Sequence, residues 1–152
     1  MIHARLPRLW TLRYSITRTY WAATTLIVAS AIGCSDGRPA RVPVSGTVLV
    51  DGQPLTQGNI KFVPTGARPS AGKIDASGRF TMTCFDGEDG VIPGTHRVAI
   101  SAKKIISESK VQWFAPAKYA DFRTSGLSFD ITEPTDDLTI NLTWDGGKPF
   151  IE

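Results

Sequence analysis

The groups able to do chemistry are few, and most of them lie in strand-like runs. Beyond residue 33 the chain holds one histidine, His96, one tyrosine, Tyr119, and two cysteines, Cys34 and Cys84. A lone histidine could serve as a general base beside a serine and an aspartate, as in a hydrolase. His96, however, alternates in step with Val98 and Ile100, so it shares the face of a strand that is turned to the interior. The expected role is a core-edge ring with a satisfied nitrogen. Cys84 alternates with Phe80 and Met82 and reads as a small buried hydrophobe rather than a reactive thiol. The run Asp86-Gly87-Glu88-Asp89-Gly90 concentrates acids. It lacks the spacing of a twelve-residue calcium loop, and a solvated hairpin loop is the expectation. No catalytic residue, metal or cofactor is expected, and the chain is not read as an enzyme.

A second kind of chemistry is recognition by aromatic side chains. Trp113, Phe114, Tyr119 and Phe122 fall within residues 104–126, among Lys118, Asp121 and Arg123. This stretch is long for a connection in a compact domain, and such lengths are functional or conceal a further element. Residues 110–115 could form a further strand. Two roles are open to the rings. They could form a platform for a peptide or a polysaccharide, with Trp113, Phe114, Tyr119, Lys118 and Arg123 as the ligand-binding set. They could equally plug the open end of a small sandwich.

Charge narrows the partners. The chain has 152 residues, with 17 Lys and Arg against 14 Asp and Glu. Arg5, Arg8, Arg13 and Arg18 lie in the first 33 positions, which contain no acid, and the remainder carries 13 basic and 14 acidic residues. A body this close to neutral gives no basic face for phosphates, so no nucleic-acid partner is expected.

The arginines precede the apolar run Trp21 to Ile32, which ends at Gly33-Cys34. A basic region, a short apolar run and small residues at its end read as an export signal over residues 1–33. The run is too short for a permanent transmembrane helix. Ala31-Ile32-Gly33-Cys34 resembles the bacterial lipobox, which implies lipidation of Cys34. The expected address is then the cell envelope, at the periplasmic or outer-membrane face, with a membrane partner reached through the lipid. Ala29-Ser30-Ala31 offers the alternative of ordinary cleavage and a secreted soluble protein. If Cys34 were free, a bridge to Cys84 would be open. Residues 34–43, polar and proline-bearing, read as a tether of about 30 Å at full extension.

The elements that must carry these residues follow a period of two. Alternation runs through Val44–Val50, Asn59–Val63, Gly72–Ile74, Arg79–Cys84, Thr95–Ala102, Leu127–Thr132 and Asp137–Trp144, with turn residues between. Seven strands with one apolar face each cannot bury those faces in one open sheet. The expected fold is therefore all-β, an antiparallel β-sandwich of about seven strands over residues 44–152.

The segments VSGTVLVDGQPLTQGNIKFVP, DASGRFTM and VIPGTHRVAI resemble the carboxypeptidase regulatory-like domain, a transthyretin-like sandwich. PAKYADFRTSGL resembles a stretch of small planctomycete lipoproteins built on that domain. The resemblance implies a non-catalytic module for adhesion, binding or assembly, with an envelope protein or polysaccharide as partner. A carbohydrate-binding module using the rings of residues 104–126 is the alternative, and a secreted hydrolase using His96 is the third reading.

Overall fold

The computed structural model describes residues 37–151. The export signal, Cys34 and the start of the tether lie outside the described residues. The body, Pro39–Glu152, is a unit of its own, and it is an all-β sandwich. Its strands are β1 (Val44–Val50), β2 (Gln53–Pro54), β3 (Gly58–Pro64), β4 (Ser70–Ile74), β5 (Arg79–Thr81), β6 (Gly94–Ser101), β7 (Lys103–Ser107), β8 (Lys110–Trp113), β9 (Ser128–Ile131) and β10 (Thr135–Leu142).

One sheet is built on β1. It pairs in parallel with β10 on one side and antiparallel with β5 and β2 on the other. The opposite sheet runs β4-β3-β6-β9, all antiparallel. Ala71 and Thr83 exchange backbone hydrogen bonds of 2.9 and 2.8 Å, which stitches the two sheets together along one side.

All seven alternating runs form strands, and the alternation decides what is buried. Val44, Val48, Phe80, Met82, Ile140 and Leu142 of the first sheet meet Ile60, Phe62, Ile74, Val98 and Ile100 of the second in one core. Burial continues along Phe80, Met82 and Cys84, although the regular ladder ends at Thr81.

Turn chemistry fixes the register. Asp51 and Gly52 both take positive φ, 47° and 80°, the requirement of a tight primed turn whose twist matches its strands. Asp75 organises the next hairpin: Oδ1 accepts the N–H groups of Ser77 and Arg79 at 2.8 and 2.9 Å and the Ser77 hydroxyl at 2.7 Å. Those donors, the Ser77 hydroxyl first, hold its carboxyl below the usual aspartate value.

The body begins before Val44. Val42 exchanges backbone hydrogen bonds with Val91, and Arg41 pairs with Asp89 at 3.2 Å. The end of the stretch read as a tether is therefore engaged with the fold.

Residues 104–126 contain more structure than a loop. Their first half is the antiparallel ribbon β7-β8, extended by Ile151 of the tail against Gln112. Their second half holds a 3-10 turn, Ala117–Ala120. Among the described residues no helix is long and apolar enough to cross a membrane.

Candidate binding groove

The sequence singled out five ligand-binding residues, and the structure separates them. Tyr119 belongs to the core and is 5% exposed. Its hydroxyl accepts the Thr143 N–H at 3.2 Å, which ties the 3-10 turn to the end of β10. Trp113 is buried at the end of β8, with Lys103 Nζ 5.5 Å from its ring centroid. Phe114 packs partly against the core. With Trp113 and Tyr119 both buried, these two rings do not form an open stacking platform. Burial of large apolar area outweighs what an exposed ring would gain.

The two charged members stay outside. Lys118 makes a short ion pair with Asp145 and lies 4.9 Å from the Tyr119 ring centroid. Its hydrogen bond to Asp145 raises its pKa. Arg123 grips Asp121 through Nε at 3.1 Å and Nη2 at 2.6 Å, while its own N–H donates to the same carboxylate at 2.8 Å. Chiefly through the Arg123 side chain, the Asp121 carboxyl is lowered to about 2.

Phe122 is half-buried and lies outside the core. The guanidinium of Arg97 stands 4.7 Å from its centroid and that of Arg123 stands 5.8 Å away, a cation–π arrangement on the surface. Ser125 pins this segment to the sheet by donating its hydroxyl to Val98 O at 2.5 Å.

Between Phe122 and the sheet runs a groove of about 430 Å³. Its floor follows from the strand register. Lys61 of β3 lies opposite Ala71 of β4 and Ala99 of β6, so one long side chain stands between two small ones and leaves space on either side. Asp121 and Phe122 line the loop side and Pro69 the far end. An apolar concavity with a few charged groups at its rim suits a short peptide or a small ligand. Sequence reading missed Lys61, Arg97, Ala71 and Ala99, because on the outward parity of a strand they look like ordinary surface. The usable signal was the pair of alanines, small residues at positions where polar ones are common.

The groups considered for catalysis are engaged elsewhere. His96 is fully buried, with Nε2 2.8 Å from Ile92 O and its ring edge-on to Phe62 at 5.6 Å. That carbonyl fixes a hydrogen on Nε2. Among the described residues Nδ1 has no hydrogen-bond partner, so one nitrogen is satisfied as expected and the other is not. Cys84 is a free thiol in the interior.

Asp89, from the acidic run, turns inward onto its own loop. Its carboxylate accepts the N–H groups of Cys84 at 2.7 Å, Phe85 at 3.1 Å and Asp86 at 3.4 Å. Burial opposes its ionisation, but those donors and Arg41 prevail and lower its pKa. Among the described residues no three His, Cys, Asp or Glu side chains gather as a metal ion would need.

These features define an all-β sandwich with a shallow groove on the outer face of one sheet. No protein-family model, curated protein or solved structure matches the chain.

Proposed function

We propose that the chain is an exported lipoprotein, held to a membrane by lipid on Cys34, whose non-catalytic sandwich binds or organises other components of the cell envelope. The groove beside Phe122 is the binding face. The observation that carries this reading is the disposition of the reactive groups. His96 and Cys84 lie in the interior, and Asp75 and Asp89 are committed to their own turns. What remains at the surface is recognition chemistry: an apolar groove with Lys61, Asp121 and an arginine-flanked ring. The resemblance to carboxypeptidase regulatory-like domains supports the same role, as does the lipobox-like Ala31-Ile32-Gly33-Cys34.

The experiment is cross-linking and co-purification of the full-length protein from its native envelope, with a Phe122→Ala, Lys61→Glu variant alongside. Lys61 is exposed and Phe122 half-buried outside the core, and a thermal melt checks that the variant is folded. Partners recovered by the wild type and lost by the variant would support the groove. An identical set from both would remove the groove from the account. A substrate turned over by the purified protein, and no longer turned over by a folded His96→Ala variant, would overturn the non-catalytic reading.

A further inference from the structure

The apolar surface that the body leaves in water is concentrated on one element. Four large hydrophobic side chains stand out among the described residues: Ile105 at 72% exposure, Ile106 at 48%, Phe150 at 42% and Ile151 at 58%. All four belong to the ribbon of β7, β8 and the tail beside it. Ile151 pairs with Gln112, and the Trp113 N–H donates to Phe150 O at 2.9 Å.

Every residue of β7 is exposed. The partner strand β8 is half-buried at Val111 and Gln112 and buried at Trp113, but β7 itself buries nothing, so core formation does not explain why it carries two isoleucines. The register shifts between the pairs Ile105–Val111 and Ser107–Lys110, so Ile106 is the extra residue of a bulge, where strict alternation of faces is broken, and both isoleucines lie next to the turn at 108–109 that ends the ribbon.

The charge around these side chains has one sign in excess. Residues 103–113 contain Lys103, Lys104 and Lys110 against Glu108 alone. Among the described residues neither Lys104 nor Lys110 forms an ion pair. Lysines that bracket isoleucines suit an interface that is apolar inside and anionic at its surface, because the stems can lie along the apolar layer while the ammonium groups reach phosphates. A second copy of the chain fits poorly. It would set the same lysines against each other, and lysines along an open strand edge oppose strand addition.

We propose that this ribbon is a membrane-contacting element. It inserts Ile105 and Ile106 at the boundary between headgroups and acyl chains of an anionic bilayer, with Lys103, Lys104 and Lys110 against the lipid phosphates. The inference rests on the ribbon alone and holds whether or not Cys34 carries lipid.

The test is amide hydrogen exchange on the full chain, purified after export, with vesicles of phosphatidylcholine alone or of phosphatidylcholine mixed with phosphatidylglycerol. Residues 103–113 should exchange about tenfold more slowly on the anionic vesicles, and the effect should weaken with added salt. The turn at 75–78 should be unchanged. An Ile105→Ser, Ile106→Ser variant and a Lys103→Gln, Lys104→Gln, Lys110→Gln variant should both lose the protection while melting like the wild type. If Cys34 carries lipid, the protein sits on both kinds of vesicle, so a difference confined to the ribbon still reports the ribbon. Equal exchange on the two vesicles, or protection retained in both variants, would overturn the proposal. So would protection without vesicles that grows with protein concentration, which would mark a second copy as the occupant.

Discussion

Val42 and Val91 exchange both of their backbone hydrogen bonds, at 2.8 and 2.9 Å. This pairing joins the segment that follows Cys34 to the sandwich and sets where the body begins. From Cys34 to Val42 the chain can reach about 28 Å at most, so a lipid on Cys34 would keep the folded body near the membrane surface.

Gly90 makes that pairing possible. Its φ is +87°, and a Cβ there would lie 1.8 Å from Val42 O. Gly90→Ala should therefore lower stability by more than about 2 kcal/mol, since backbone strain and a clash with the main chain add. Gly66, at φ +72° with open space around it, supplies the comparison. Gly66→Ala should cost only about 1 kcal/mol. Thermal melts of the two variants measure the difference, and equal melting temperatures would show that the Val42 contact contributes nothing.

Tyr119 separates the structural role of its ring from that of its hydroxyl. Tyr119→Phe removes the bond to the Thr143 N–H and should cost about 1 kcal/mol. Tyr119→Ala also empties a core site and should cost about 3 to 5 kcal/mol. Denaturant titration reads both. A fully stable Tyr119→Ala protein with altered ligand binding would instead return the ring to the role of a surface platform.

The Asp121 and Arg123 pair predicts a pH effect of defined sign. The folded Asp121 carboxyl titrates at about 2, below the ordinary aspartate value near 3.9. The pairing therefore favours the folded state above the ordinary value, and that contribution is lost as pH falls through about 2. Carboxyl-carbon NMR should find the midpoint near 2 in the wild type. In Arg123→Gln it should move up toward 3.9, stopping short because the backbone N–H of residue 123 still donates to the carboxylate and Arg97 also lowers its pKa. A wild-type midpoint near 4 would contradict the ion-pair geometry.

The sandwich was legible because one physical rule, alternate burial along a strand, governs all seven runs from Val44–Val50 to Asp137–Trp144. His96 and Cys84 were legible by the same rule, since their parity places them with Val98 and Met82. The rule weakens where both faces of a strand meet water. β7 has no buried face, so Lys103–Ser107 shows no periodic signal and sat partly inside an apparent loop. Ring type was equally uninformative about direction. Tyr119 and Phe122 lie three positions apart with similar neighbours, and only the path of the 3-10 turn sends one into the core and leaves the other over the groove. Polar parity also concealed the groove, because its floor depends on Ala71, Lys61 and Ala99 lining up across three strands, a register that no single segment encodes.

The most direct test of the central claim is the intact mass and N-terminal peptide of the protein isolated from its native envelope. The expected result is a mature chain that begins at Cys34, with its mass raised by a diacylglyceryl group on the sulfur. A chain beginning at Ile32 with no lipid, as cleavage after Ala31 would leave it, or one that still begins at Met1, would contradict it.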